Sequence, residues 1–433
     1  MSVTVRQNRA SANIAEENVS SGYKRTEVGV IPEDWSVVKL KEIAKIETGS
    51  TPSTNVKSYY GDDYLFVSPL DIKDRKYITN TEKKLSKKGF NITPHFPKNS
   101  ILFVCIGSTI GKCAIASTEL TSNQQINAVF PSQNFSSDYL YYALLLAAPK
   151  VKAMSGEQAV PIVNKSQFSE TLIPLPPLPE QRAIAGALSD VDKLIESLDK
   201  LIVKKKAIKQ AAMQQLLTGK MRLPGFSGEW EVRRLGEIGN CLRGVSYNGQ
   251  YDLVEGDTKD SIRLLRANNI SEETINLNDL QYVKEYTVNE SQLLRDNDIV
   301  ICMANGSKEL VGKAALFKNI DGLKYTFGAF MGCFRINFQK ANPYFIFGLF
   351  NTLKYRNYLK ILLSGSSINN LKPSDIESLE FEMPDDKHEQ DNIAYIISDM
   401  DAEIQALERR REKIKQIKQG MMQVLLTGKV RLM

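Results

Sequence analysis

Two lysines behind glycine-bracketed turns are the first residues whose spacing invites chemistry. In Gly107-Ser108-Thr109-Ile110-Gly111-Lys112-Cys113 a turn leads into a lysine, the arrangement by which backbone amides and one cation surround a phosphate. A nucleotide-binding loop of that type has four residues between its glycines and a Ser or Thr after the lysine to hold magnesium. Here three residues intervene and Cys113 follows; in the corresponding stretch Gly306 to Gly312 five intervene and Ala314 follows Lys313. What the two stretches share is a turn between strands, so nucleotide binding is not expected at either.

Asn342-Pro343-Tyr344-Phe345 is similar to the catalytic tetrapeptide of adenine methyltransferases, but lacks the second proline that shapes the base-binding loop. Asn342 as helix cap with Pro343 as first helical residue accounts for it, and Ser137-Asp138-Tyr139-Leu140 is its expected counterpart. No Gly-rich loop for S-adenosylmethionine follows an obvious strand. The two histidines, His95 and His388, stand at non-equivalent places, and carboxylates recur in no nuclease-like cluster. Five cysteines without a CxxC pair indicate neither a disulfide framework nor a zinc ribbon, which fits a reducing, cytoplasmic compartment. The chain reads as a binder without catalysis or metal of its own.

Its cations carry the binding chemistry. Lys83, Lys84, Lys87 and Lys88 crowd a polar segment beside Tyr77 and Phe90, and Arg263 and Arg266 precede Asn268 and Asn269. Such a mixture suits phosphate neutralisation together with base-edge reading by Arg and Asn. Lys112, Lys308 and Lys313, at the two glycine turns, complete the candidate DNA-binding set. Lys204 to Lys206 and Arg409 to Arg411 lie on helices and are expected to face solvent or a docking partner.

The elements that position these residues come in two copies. Leu216-Leu217-Thr218-Gly219-Lys220-Met221-Arg222-Leu223 reappears as Leu425-Leu426-Thr427-Gly428-Lys429-Val430-Arg431-Leu432, and the match runs back without a gap to Glu180-Gln181 and Glu389-Gln390. Trp35 and Trp230 each open a copy, Trp35-Ser-Val-Val-Lys-Leu40 answering Trp230-Glu-Val-Arg-Arg-Leu235. Strand-like runs Ile101 to Cys105 and Ile299 to Met303 correspond, and helices are expected over Ser137 to Leu146 and Asn342 to Leu353. Each copy ends in a proline-containing run and enters a long helix of about 38 residues, roughly 55 Å. Ile184, Leu188, Val191, Ile195 and Leu198 in one helix, and Ile393, Ile397, Met400, Ile404 and Leu407 in the other, keep the four-three spacing of a packing seam. Lys204 to Lys206 interrupt the first seam, so a slip of register or fraying is expected there.

This order gives an α+β chain with an internal pseudo-two-fold repeat: a polar, disordered tail over 1–22, globular domains over 23–178 and 220–384, and helices over 179–219 and 385–433. At 433 residues, 42% hydrophobic and 24% charged, with no apolar run long enough for a membrane span, it reads as a soluble protein. No signal peptide is visible. A net charge of +6 permits a polyanionic partner without demonstrating one.

Ile31-Pro-Glu-Asp-Trp35 with Leu40, Leu175-Pro-Pro-Leu-Pro-Glu180-Gln181-Arg-Ala-Ile184, and the twice-used Leu-Leu-Thr-Gly-Lys together resemble the specificity subunit of type I DNA restriction-modification systems. The resemblance spans nearly the whole chain from about residue 22. Met383-Pro-Asp-Asp-Lys-His388 departs from it, replacing the proline run before the second helix. The resemblance implies two target-recognition domains held apart by two long antiparallel helices, each domain reading one half of a bipartite site in double-stranded DNA. It implies a non-catalytic subunit that directs adenine methylation by two methyltransferase subunits, joined for restriction by two motor-nuclease subunits. S-adenosylmethionine, ATP and magnesium would belong to those partners. The helices match closely while the domains differ in most residues, which predicts an asymmetric target with two different half-sequences. A non-DNA scaffold joining partners through the helices is the alternative, told apart by the salt dependence of DNA binding.

Overall fold

The computed structural model describes residues 20–432 except 74, 157–158, 272 and 365–368. The polar tail therefore falls, up to residue 19, outside the described residues. The chain forms two compact units that differ from the segments read along the sequence: unit 1 joins the part ending at Ser197 to the part beginning at Arg410, and unit 2 is Leu198–Arg409. The unit boundaries fall inside the repeated helices, so each unit owns the first half of one helix and the second half of the other.

Unit 1 contains β1 (Ser36–Lys39), β2 (Ile46–Thr48), β3 (Tyr60–Val67), β4 (Tyr77–Ile78), β5 (Lys83–Leu85), β6 (Ile101–Val104), β7 (Cys113–Ala116), β8 (Thr121–Ser122), β9 (Ile126–Val129) and β10 (Leu172–Leu175), with α1 (Ser137–Ala153) before β10. They form a five-stranded sheet in the order β2-β9-β6-β7-β4, a three-stranded sheet β8-β3-β5 and a pair β10-β1. The run Ile101 to Val104 is apolar throughout because both faces of its sheet are covered. Side chains alternate along a strand, so Ile101 and Phe103 enter a core with α1 residues such as Tyr139 and Leu140, whereas Leu102 and Val104 pack with Val67 and Ile72.

Unit 2 repeats the plan. Its larger strands are β11 (Trp230–Arg234), β12 (Gly239–Arg243), β13 (Ser261–Leu265), β14 (Gln281–Lys284), β15 (Ile299–Cys302), β16 (Ala314–Leu316), β17 (Tyr325–Phe327), β18 (Met331–Ile336) and β19 (Glu380–Pro384). They give a four-stranded sheet β12-β18-β15-β16, a three-stranded sheet β14-β13-β17 and a pair β11-β19. In both units the three-stranded sheet contains a parallel pair, β8 with β3 and β17 with β13. The expected helix over Asn342 to Leu353 is two helices, Pro343–Leu349 and Leu353–Ser364, and Thr352 between them caps the second by accepting from Tyr355 N at 3.4 Å.

The repeated helices are α2 (Leu178–Leu216) and α5 (Lys387–Leu425), 39 residues each; the two longest helices between them are α3 (Pro343–Leu349) and α4 (Leu353–Ser364). In unit 2, Lys205 pairs with Glu403 at 2.7 Å and Lys209 with Asp401 at 2.7 Å, so rising numbers meet falling ones and the helices run antiparallel. In unit 1, Lys418 pairs with Asp192 at 2.6 Å. The expected interruption at Lys204 to Lys206 is absent. The helix continues because its lysines have acids opposite, Lys206 meeting Glu408 at 2.9 Å. Of the seam residues, Leu198 and Ile404 are buried, while Val191, Ile195, Met400 and Leu407 are half-buried. Ile184 and Leu188 belong to the core of unit 1 and Ile393 and Ile397 to that of unit 2, so the first turns of each helix serve a domain core.

The recurring motifs converge in space, once in each unit. Leu216 and Leu217 enter the unit 2 core, and Leu425 and Leu426 the unit 1 core. Each helix then stops at a glycine with positive φ, Gly219 at 67° and Gly428 at 69°, and hydrogen bonds that reach back into the last helical turn close it, from Met221 N to Gln215 O and from Val430 N to Val424 O. A Cβ on Gly219 would stand 3.2 Å from the Trp230 ring, and one on Gly428 only 2.3 Å from Pro32, so close approach excludes a side chain as well. The following arginine lies over the tryptophan and forks onto the glutamate that opens the other helix. Arg222 covers Trp230 and donates to Glu389 at 2.6 and 2.7 Å; Arg431 covers Trp35 and donates to Glu180 at 2.6 and 2.8 Å.

The glutamine after each glutamate fixes the helix entry. Ser136 N donates to Gln181 Oε1, whose Nε2 donates to Pro176 O, both at 2.9 Å; Asn342 N and Pro384 O play the same parts for Gln390 at the same distances. The departure at Met383 to His388 therefore leaves the entry geometry intact, because Pro384 alone supplies the needed carbonyl.

Candidate nucleic-acid interface

In unit 1 the expected cations lie on one short stretch. Lys83 and Lys84 are on β5, and Lys87 and Lys88 are exposed on a single helical turn capped by Ser86, which accepts from Gly89 N at 3.2 Å. Phe90 is buried, stacked on Tyr64 and on His95 at about 4 Å, so it anchors the turn that presents the lysines. Tyr77 is engaged elsewhere, donating to Asp138 at 2.7 Å. Lys112 is exposed behind Gly111, whose φ is 101°.

In unit 2 the structure sorts the Arg-Asn group. Arg263 is tied into the domain: its guanidinium bonds Asp257, Asp321 and the Tyr325 hydroxyl and lies over the Tyr325 ring. Burial works against its charge, but the hydrogen bonds it donates to Asp257, Tyr325 and Asp321 outweigh that and hold its pKa above the ordinary value. Asn269 is buried, accepting from Arg266 N and donating to the carbonyls of Asn276 and Asn278, so it builds a turn and is removed from the DNA-facing set. Arg266 and Asn268 remain accessible and both donate to Asp279, at 3.3 and 3.1 Å.

Arg266 and Asn268 line a cleft of about 1200 Å³ with Tyr247, Asn305, Phe330 and Asn369. It draws on the loop after β13, the loop after β15, the turn between β17 and β18, and the chain before Leu371. A neighbouring cleft of about 660 Å³ is lined by Lys308, Lys313, Arg356 and Lys360, with Glu309 also on its wall. Lys308 and Lys313 are thus brought together against α4, whereas Lys308 Nζ also donates to Leu363 O at 3.3 Å. One loop separates the clefts, since Asn305 and Gly306 face the first and Lys308 to Lys313 the second. The loop is seated by Gly312, where a Cβ would fall 2.1 Å from Leu359. Amides and an arginine beside a group of cations can meet base edges on one side and phosphates on the other.

Sequence reasoning missed Asn305, Phe330, Asn369, Arg356 and Lys360. Arg356 and Lys360 carry a readable signal, two cations four apart on an amphipathic helix. Phe330 follows Gly328-Ala329 in a turn and is 71% exposed, which no local pattern announces. The methyltransferase-like tetrapeptide is a cap: Asn342 accepts from Tyr344 N and Phe345 N and donates to Asp391. Its counterpart is shifted by one residue from the expected alignment, because Ser136 holds the capping position.

Comparisons with known proteins agree with this architecture. A family model described as type I restriction modification DNA specificity domain matches twice, over residues 32–205 and 227–418. The MjaVIII specificity subunit of a type I restriction enzyme from Methanocaldococcus jannaschii is 25% identical over 418 residues, 93% of this chain and 94% of that protein. The MjaIX specificity subunit of the same organism is 33% identical over 240 residues, and there the match spans about half of each, 50% of this chain and 54% of the relative. The EcoKI specificity subunit of Escherichia coli is 32% identical over 201 residues, 46% of this chain and 42% of that protein. The crystal structure of the S subunit of a type I restriction-modification system from M. genitalium shares the fold, with a TM-score of 0.56 at 16% identity over 90% of this chain and 96% of that one. With two copies of the family's domain covering most of its length, this chain belongs to the type I restriction-modification DNA specificity family.

Proposed function

We propose that the chain reads a bipartite, asymmetric site in double-stranded DNA, one half through each globular domain, and directs adenine methylation and restriction by partner subunits. The observation that supports this most is the pairing of equal frames with unequal surfaces. Strand order, parallel pair, helix entry and Trp-Arg-Glu clamp recur in both units, while the side chains on the loops around the clefts do not. A single chain with such a repeat does what a symmetric dimer does on a palindrome, with the two halves free to differ. Two methyltransferase subunits supply S-adenosylmethionine and the chemistry, and two motor-nuclease subunits supply ATP- and magnesium-dependent restriction. The complex acts in the cytoplasm. Among the described residues no helix is long and apolar enough to cross a membrane.

The test is an adenine-methylation map of DNA from a methylation-free host carrying this gene with its partner methyltransferase, set against the same host without this gene. A bipartite motif that depends on this chain is the expected result. A complex that assembles and methylates without a motif, and binds DNA with no steep salt dependence, would leave a scaffold for partner subunits instead. Inserting about one heptad into α2 and into α5 should lengthen the permitted spacer while both half-sites stay readable; an unchanged spacer would sink the role of the helices as a ruler.

A further inference from the structure

Hydrogen bonds align the two units where sequence does not. Gly328 N donates to Leu265 O at 2.9 Å as Asn123 N does to Val67 O at 2.9 Å. Met303 N donates to Phe330 O at 2.9 Å as Cys105 N does to Gln125 O at 2.8 Å, and Leu371 N to Met303 O as Val163 N to Cys105 O, both at 2.8 Å. The turn after the three-stranded sheet closes the same way, Arg266 N donating to Asn269 Oδ1 at 2.9 Å and Ser68 N to Asp71 Oδ2 at 2.8 Å. Gly244 and Gly49 mark the facing strand, since a Cβ on either would fall within 2.3 Å of the backbone opposite, at Gly328 O and Asn123 O. Counting along this frame, Ser68 stands where Arg266 stands, Leu70 where Asn268 stands, and Thr51 and Gln124 where Ser246 and Ala329 stand.

We propose that this rim is the base-reading edge in both units, with Arg266, Asn268 and Asn305 reading in unit 2 and Thr51, Leu70 and Gln124 in unit 1. The assignment rests on the DNA-reading function proposed above. The side chains on the rim are free of duties in the core. Leu70 is 73% exposed, and its counterpart Asn268 is exposed as well. The donors of Arg266 and Asn268 both rest on Asp279, whose side chain is 81% exposed, and the buried Arg266 Nε has no partner. An exposed pair of that kind contributes little, so the acceptor edge of a purine can take the place of the carboxylate. Arg offers its fork to guanine O6 and N7, and Asn its amide to adenine N6 and N7. In unit 1 the Thr51 hydroxyl donates to Gln124 Oε1 at 2.7 Å and orients that amide for adenine, while Leu70 presents methyl groups to a thymine C5-methyl. With Ser68 in place of Arg266, the unit 1 half-site is read without an Arg-guanine fork. The sequence-derived lysines at 83, 84, 87 and 88 lie off this rim on β5 and the turn beyond it, suited to phosphates.

The experiment compares methylation maps and oligonucleotide binding for the wild-type chain, Arg266→Ala, Asn268→Ala, Asn268→Gln, Leu70→Ala and Gln124→Ala, each in its assembled complex. Arg266→Ala and Asn268→Ala should each relax a position in one half of the motif and weaken binding of that half roughly 5- to 150-fold, leaving the other half as it was. Leu70→Ala and Gln124→Ala should act on the opposite half. Asn268→Gln, which keeps the amide, should shift the preference at the position that Asn268→Ala relaxes. An intact wild-type motif that none of these changes, or a loss equal on all DNA, overturns the rim assignment alone. A wild-type complex that yields no motif overturns the DNA-reading function and the rim with it.

Discussion

Unit 1 and unit 2 solve one folding problem twice, and they differ most where nothing in the fold restrains them. Both seat a tryptophan under an arginine from the end of one helix and a glutamate from the start of the other. In unit 1 the indole N–H of Trp35 donates to Glu180 at 3.0 Å and Asp34 adds a second carboxylate on Arg431; in unit 2 the Trp230 Nε1 is buried without a partner. On the rim Ser68 answers Arg266 and Leu70 answers Asn268. The clamp tolerates the loss of a hydrogen bond but keeps its residue types. The rim keeps its backbone bonds and exchanges its side chains.

The largest expected effect comes from breaking the clamps. Arg222→Ala strands the Glu389 carboxylate, 2% exposed, whereas Arg431→Ala leaves Glu180, 5% exposed, with the indole N–H of Trp35. Removing one member of a buried pair costs about 3 to 5 kcal/mol. Unfolding followed by hydrogen exchange should show Arg222→Ala near the top of that range in unit 2, and Arg431→Ala lower in unit 1. Equal losses would mean that the Trp35 bond adds nothing.

The glycine turns come next. Gly312→Ala places a Cβ 2.1 Å from Leu359, and Gly111→Ala places one 3.0 Å from Ala148, both on left-handed backbone. A cost of about 1 to 3 kcal/mol is expected, larger at Gly312. Loss of phosphate-dependent affinity at Gly312 alone would show that its seating sets the lysine cleft; thermal melts and salt titrations report both.

Lys209→Met tests a smaller difference. Lys209 is 11% exposed between Glu273 and Asp401, whereas Lys418, 18% exposed, pairs with Asp192 and lies over Tyr142. Since the acids left behind are half-exposed, about 1 to 2 kcal/mol should be lost, more for Lys209→Met than for Lys418→Met.

The smallest effect is one of pH. The hydrogen bond from Arg431 keeps the Asp34 carboxyl below its usual 3.8. A depressed carboxyl contributes in full above its ordinary value and loses that contribution as pH falls through the folded one. Wild type and Asp34→Asn should therefore differ at neutral pH and converge on acidification below about 3.8, with unit 1 alone responding. A gap that persists in acid would mean that Asp34 acts through packing.

Much of the frame was legible because it is written twice. The Leu-Leu-Thr-Gly-Lys ends, Trp35 and Trp230, and the Glu-Gln pairs recur because each contributes to the same clamp, and recurrence shows in one sequence without any relative. The surfaces were less legible for the opposite reason. Nothing around Arg263 announces Asp257 and Asp321, which reach it from other loops, and Asn269 looks like Asn268 until one is buried. The division of Asn342 to Leu353 into two helices turns on Thr352, whose cap on Tyr355 N lies inside an otherwise unbroken helical pattern. The compact units could not be seen along the chain, because each is closed by residues from the far end of the other helix.

That closure sets an order of events at the ribosome. Arg222 finds Glu389 across 167 residues, but Arg431 must find Asp34 across 397. At synthesis rates of roughly 5 to 20 residues per second, the pocket around Trp35 waits about 20 to 80 s for the leucines and arginine that seal it. The domain translated first is thus completed last, and a ribosome that stops short of residue 425 releases a chain whose second unit has its parts and whose first is still open.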